Sequence, residues 1–200
     1  MKLNIIVISA LTIFSFIIRI IHIDYPINIT WDEIYHVKAT QNLLCGEGYF
    51  IDHPPFGRHL IALGILLFGN KAFGWRIIQA ICGTMLVPLS YLLAKKILSY
   101  NYAGLLTAFF VSFDLLFLTY SRIGLVDIFL IFFIALSFLF FIHGAEKDNK
   151  NSNWFYILSA MFTGLAVSVK WTAIVLFPMF LLWLWVKEKL NNKLIDELLK

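Results

Sequence analysis

Apolar runs close to bilayer-crossing length recur along this 200-residue chain and limit what it can fold into. A helix rises about 1.5 Å per residue, so a hydrocarbon core takes about 20 apolar residues to cross. Such runs lie at 5–23, 73–94, 102–120, 125–143, 154–169 and 171–186, and a charged tail follows at 187–200. The residues are 60% hydrophobic and 14% charged, against about 45–50% and about 25% in ordinary soluble domains. The expectation is an all-α polytopic membrane protein, one membrane domain over 1–200 with six spanning helices. The first run is long for a signal peptide and no small-x-small cleavage site ends it, so it is expected to stay as the first span.

A further apolar stretch, His59–Gly69, would reach only about 16 Å as a helix, too short to cross unaided. Charge decides how it is counted. If it does not span, Lys95 and Lys96, the 146–150 loop and the basic tail all fall on the N-terminal, cytoplasmic side, as the positive-inside rule expects. The stretch is therefore read as an interfacial or re-entrant helix at 56–69, inside an external loop at 24–72. This topology accounts for most of the net charge of +4, which gives no reason to invoke nucleic acid. Cys45 and Cys82 have no spacing that points to a disulfide framework or a metal, and packing is the reading for Cys82.

The polar chemistry concentrates in residues 30–58 of that loop. Thr30-Trp31-Asp32-Glu33 fits a capping box that would open a helix over 31–45. Glu33 then caps and Asp32 favours the helix dipole. The same placement holds Asp32 rigid and ionised, which a general base requires. Pro54 and Pro55 stiffen the corner after Asp52 and His53. Taken singly, His22, His36, His53, His59 and His143 read as surface or packed histidines. Asp52, His53 and His59 do not have a standard metal-ligand spacing, so no metal is assigned. Three arginines, Arg19, Arg76 and Arg122, lie in or beside apolar runs and by topology share the external side with Asp32. Arg122 with Asp127 is expected to form a structural ion pair. Arg19 and Arg76 have no sequence-local partner and would suit an anionic phosphate head group.

Five blocks in order, W-D-E-x-x-H, D-H-P-P-F-G-R, G-W-R, T-Y-S-R-I-G-L-V-D and G-L-A-V-S-V-K-W, resemble the protein O-mannosyltransferases, membrane glycosyltransferases of the type C fold. The resemblance runs from about Arg19 to Trp171 and covers the N-terminal half of the family pattern. Trp31 stands where the family often has Phe, and Arg58 where it has Lys. The resemblance implies a type C transmembrane bundle with interfacial helices in the first external loop. It implies transfer of mannose from a polyprenyl or dolichyl phosphate carrier to Ser or Thr hydroxyls of secreted or membrane proteins, with inversion. On it, Asp32 is the general base and Glu33 helps hold acceptor or sugar. Arg76 and Arg19 bind the carrier phosphate, and Asp52, His53 and Arg58 join the substrate-binding set.

That chemistry is consistent with the residues. A carboxylate activates a weak hydroxyl nucleophile. A phosphate leaving group needs cationic stabilisation rather than a general acid. A lipid donor needs no nucleotide motif, and the sequence has no P-loop or Rossmann fingerprint. The expected partners are the bilayer, the lipid-linked sugar and a protein acceptor, with a second chain supplying further helices. The expected location is the cell membrane of a prokaryote or the endoplasmic reticulum of a eukaryote, with the active loop external or lumenal. No cofactor beyond the lipid-linked donor is assigned, and a divalent metal has no support. The competing readings are a related transferase acting on a lipid or cell-wall glycan, and a non-catalytic membrane scaffold or half-transporter.

Overall fold

The computed structural model of the protein describes residues 2–48, 53–146 and 150–190, and every regular element among them is helical. In chain order these are α1 (Lys2–Ile20), α2 (Glu33–Leu44), α3 (Phe56–Phe68), α4 (Ala72–Leu98), α5 (Asn101–Phe113), α6 (Leu115–Tyr120), α7 (Asp127–Gly144) and α8 (Ser152–Val169). A 3-10 turn (Trp171–Val175) and α9 (Leu176–Leu190) follow. Four of these, α1, α4, α7 and α8, are long and apolar enough to cross a membrane. The chain is an all-α, multi-pass membrane protein. Leu3, Ile5, Ile6 and Ile13 of α1 remain more than half exposed, as a lipid-facing surface would be.

Two apolar runs are interrupted. The stretch 102–120 is divided between α5 and α6 at Asp114, whose backbone is extended (ψ 122°). The Asp114 carboxylate accepts a 2.8 Å hydrogen bond from the Phe117 amide and so caps α6. The stretch 171–186 opens as the 3-10 turn before α9 begins. The short stretch before α4 is α3, and it stops at Gly69, where φ is +89°.

Helix α4 packs against α1, α3, α5 and α7, and α7 lies along α8. Val37, Ile61, Trp75, Leu86, Ile128, Phe129, Ala166 and Val169 form the buried core between them. Where α3 crosses α4, a Cβ on Gly64 would collide with the Gly74 carbonyl, so the crossing depends on bare backbone. A buried hydroxyl network joins α7 to α8. Ser137 Oγ donates to the Ser159 carbonyl (3.0 Å) and lies 2.6 Å from Thr163 Oγ1, and Ser159 Oγ returns a bond to the Ser137 carbonyl (2.9 Å). Apolar lipid does not drive helices together, so small residues and hydrogen bonds of this kind carry the association. At the bundle end formed by the C-termini of α4 and α7, Lys96 pairs with Glu146, which holds the exposed Glu146 carboxyl below its usual range.

Candidate active site

The opposite end of the bundle gathers the C-termini of α1 and α8, the N-termini of α2, α4 and α7, and the turn before α7. Glu33 ties most of these together. Its carboxylate is fully buried and accepts from Arg76 Nε at 2.6 Å and Arg76 Nη2 at 2.7 Å. It also accepts from the Gly124 amide (2.6 Å) and from the Thr30 amide and hydroxyl (both 3.0 Å). The bond to the Thr30 amide is the Glu33 half of the expected capping box; the Thr30 hydroxyl donates to Glu33 instead of capping an amide, and Asp32 rather than Thr30 stands at the N-cap. Burial alone would push this carboxyl up. The Arg76 guanidinium and the amides of Gly124 and Thr30 outweigh it and hold Glu33 below the usual carboxylate range. Gly124 must be glycine for this approach, because a Cβ there would come within 2.6 Å of Val37 Cγ2.

Arg76 completes the clamp. Its Nη1 donates to the carbonyls of Ile23 (3.0 Å) and Pro26 (2.9 Å), so it fastens the loop after α1 to α4 as well. Every nitrogen of this buried guanidinium is engaged inside the protein. Arg122 likewise caps α1, donating to the carbonyls of Ile18 and Ile21 at 2.7 Å each. Carbonyls at a helix C-terminus lack intrahelical donors and attract cations. The expected Arg122–Asp127 ion pair is therefore corrected: Asp127 pairs with Lys170 Nζ at 2.6 Å, across 43 residues.

Beside this clamp lies an open polar cleft of about 300 Å³, lined by Asp32, Tyr35, His36, His53, Tyr120, Leu125, Asp127 and Lys170. Asp32 sits at the N-cap of α2 but makes no capping bond with its side chain, so the carboxylate is left for the cleft. The rings of His36 and His53 are stacked 6.1 Å apart. Among the described residues no group of three His, Cys, Asp or Glu side chains could hold a metal ion.

Of the residues expected from sequence, Asp32 and His53 face the cleft, and Glu33 and Arg76 brace it from behind. Arg58 is buried and donates to the His53 carbonyl (3.1 Å), holding the corner before α3. Arg19 is fully buried in α1. Its Nη1 donates to the Ser15 hydroxyl and carbonyl, and among the described residues its Nε and Nη2 have no hydrogen-bond partner. Asp52 lies outside the described residues. Sequence reasoning missed Lys170, Tyr35, Tyr120 and His36 as lining residues. For His36 a signal existed, since it follows Asp32 by four residues and so shares its helix face. For Lys170 the signals were its place at the end of an apolar run and in the G-L-A-V-S-V-K-W block.

Two family models match the chain, both described as dolichyl-phosphate-mannose-protein mannosyltransferase, one over residues 52–198 and the other over residues 9–75. The chain is 28% identical to the polyprenol-phosphate-mannose–protein mannosyltransferase of Corynebacterium glutamicum, over 80% of this chain and 36% of that protein. It is 32% identical to dolichyl-phosphate-mannose–protein mannosyltransferase 6 of Candida albicans, over 82% of this chain and 23% of that protein. Protein O-mannosyl-transferase 1 of Danio rerio is 27% identical over 88% of this chain and 26% of its own length. The chain thus spans about a third or less of the length of these relatives, and the two family matches together include every residue that lines the cleft. It belongs to the dolichyl-phosphate-mannose-protein mannosyltransferase family.

Proposed function

We propose that this chain carries the catalytic cleft of a transferase that moves mannose from a polyprenyl-type phosphate carrier to Ser or Thr hydroxyls of exported proteins. The observation that carries the reading is the presence of a carboxylate without a capping partner, Asp32, and an ammonium, Lys170, in one polar cleft at the end of a membrane bundle. Asp32 accepts the proton of the acceptor hydroxyl as the new bond to the anomeric carbon forms. The bond from that carbon to the phosphate oxygen breaks on the opposite side, with inversion, and the carrier phosphate departs as an anion. Lys170, oriented by Asp127, faces that developing charge. Glu33 and Arg76 act as positioning residues that hold the start of α2, and with it Asp32, against α4. Arg19 remains the candidate second cation for the carrier phosphate, through its two nitrogens, Nε and Nη2, that lack a partner among the described residues.

The cleft opens on the external or lumenal face in this reading, which the basic connections on the other side support. A second chain as a further partner is part of the proposal. The test is incorporation of radiolabelled mannose from polyprenyl phosphate mannose into an acceptor peptide, using membranes carrying the chain. Asp32→Asn should lower incorporation by at least about a hundredfold. Equal incorporation by wild type and variant would remove Asp32 as the base, and labelling of lipid instead of peptide would move the acceptor to another class.

A further inference from the structure

Trp31 immediately precedes Asp32 and is built in an unusual way. Its φ is +47°, in the left-handed region that costs a bulky residue about 1–2 kcal/mol. Its side chain is nonetheless 65% exposed, so core packing does not explain the conformation. The indole meets the ring of Tyr120 edge-on, with centroids 6.5 Å apart and planes at 77°. Tyr120 lines the cleft, and so does Tyr35, which lies three residues after Asp32 and is itself 62% exposed. Among the described residues neither tyrosine hydroxyl has a hydrogen-bond partner. Two tyrosine rings therefore line the cleft with Asp32, and the exposed Trp31 indole packs edge-on against one of them. A bilayer anchor would account for an exposed tryptophan. It would not account for a strained backbone beside the proposed base or for the contact with a cleft-lining tyrosine.

We propose that Trp31, Tyr120 and Tyr35 form an aromatic wall that takes the sugar ring of the lipid-linked donor. The proposal rests on the transferase reading above and adds to it the subsite for the transferred group. In a single displacement the acceptor oxygen and the phosphate oxygen lie on opposite sides of the anomeric carbon. The pyranose must then sit between Asp32 and Lys170, in the cleft that Tyr35 and Tyr120 line and that Trp31 reaches through Tyr120. One face of a mannopyranose carries axial C–H bonds rather than hydroxyls and stacks on an aromatic ring, while its equatorial hydroxyls reach tyrosine edges and water. The left-handed backbone at Trp31 accompanies an indole that meets cleft-lining Tyr120 and stays out of the core.

The experiment compares binding of two probes to the full chain in lipid nanodiscs: a short-chain polyprenyl phosphate mannose, and the same polyprenyl phosphate without sugar. Wild type should bind the mannosylated probe more tightly. Trp31→Ala should weaken that probe roughly three- to tenfold and leave the bare phosphate unchanged, which also shows that the variant is folded. Trp31→Phe should restore most of the difference. Equal loss for both probes would make Trp31 a membrane anchor or a structural residue and overturn the proposal. A wild type that does not distinguish the probes, or a Trp31→Ala variant altered only in its KM for acceptor peptide, would overturn it too. A chain that binds neither probe would instead overturn the transferase reading on which the wall depends.

Discussion

Glu33 and Arg76 meet as a two-point ion pair, 2.6 and 2.7 Å, with both side chains fully buried. Removing one partner from such a pair strands the other charge and costs about 3–5 kcal/mol. Arg76→Met is expected to lower the thermal unfolding midpoint of the detergent-solubilised chain markedly. Glu33→Gln, which keeps the shape and part of the hydrogen bonding, should cost less. The double variant should fall short of the sum of the two, because neither charge is then left alone. Additive losses would show that the pair is not coupled.

The same pair sets an acid limit. Glu33 has a folded-state carboxyl held below its ordinary value of 4.5. A carboxyl depressed on folding contributes stability that is fully present above its unfolded pKa and is lost as pH falls through the folded value. Unfolding midpoints of wild type should therefore hold above about pH 5 and decline below it. In Glu33→Gln the decline should be shallower across the same window, and an unchanged slope would assign the acid sensitivity to other groups.

Lys170 is the cation that lines the cleft, so its replacement should act on the donor. Lys170→Met is expected to weaken binding of a polyprenyl phosphate by about tenfold or more, the scale of a lost charge-assisted hydrogen bond. Arg122→Met should leave that binding unchanged, since Arg122 spends its donors on the carbonyls of Ile18 and Ile21. Titration of both variants with the same lipid compares them directly. A larger effect at Arg122 would reverse the assignment.

Ser137 should matter to the bundle and not to chemistry. Ser137→Ala removes its bonds to Ser159 and Thr163 between α7 and α8. The expected loss is about 0.6–1.7 kcal/mol, the range found for hydrogen bonds between membrane helices. Unfolding in detergent measures it, and mannosyl transfer should stay near wild type.

Much of this protein could be read from residue order, because the relevant forces are local. The apolar runs dictate helices, since a backbone in hydrocarbon must satisfy its own hydrogen bonds. Thr30 and Glu33 reach each other within one turn, so their capping contact follows from spacing alone. Asp32 and His53 stand out as polar residues in a loop between apolar segments, and both line the cleft. What the tertiary structure alone decided was where the buried charges found their partners. Asp127 has Arg122 five residues away and instead joins Lys170 at the end of α8. Arg76 looks free for a phosphate in the sequence, yet Glu33 and two loop carbonyls engage all three of its nitrogens. A buried guanidinium binds whichever acceptors the fold brings within 3 Å, and spacing along the chain says nothing about which acceptors those will be. The helices were therefore legible from periodicity and length, while the division of cations between clamp, cap and cleft was settled only by how those helices pack.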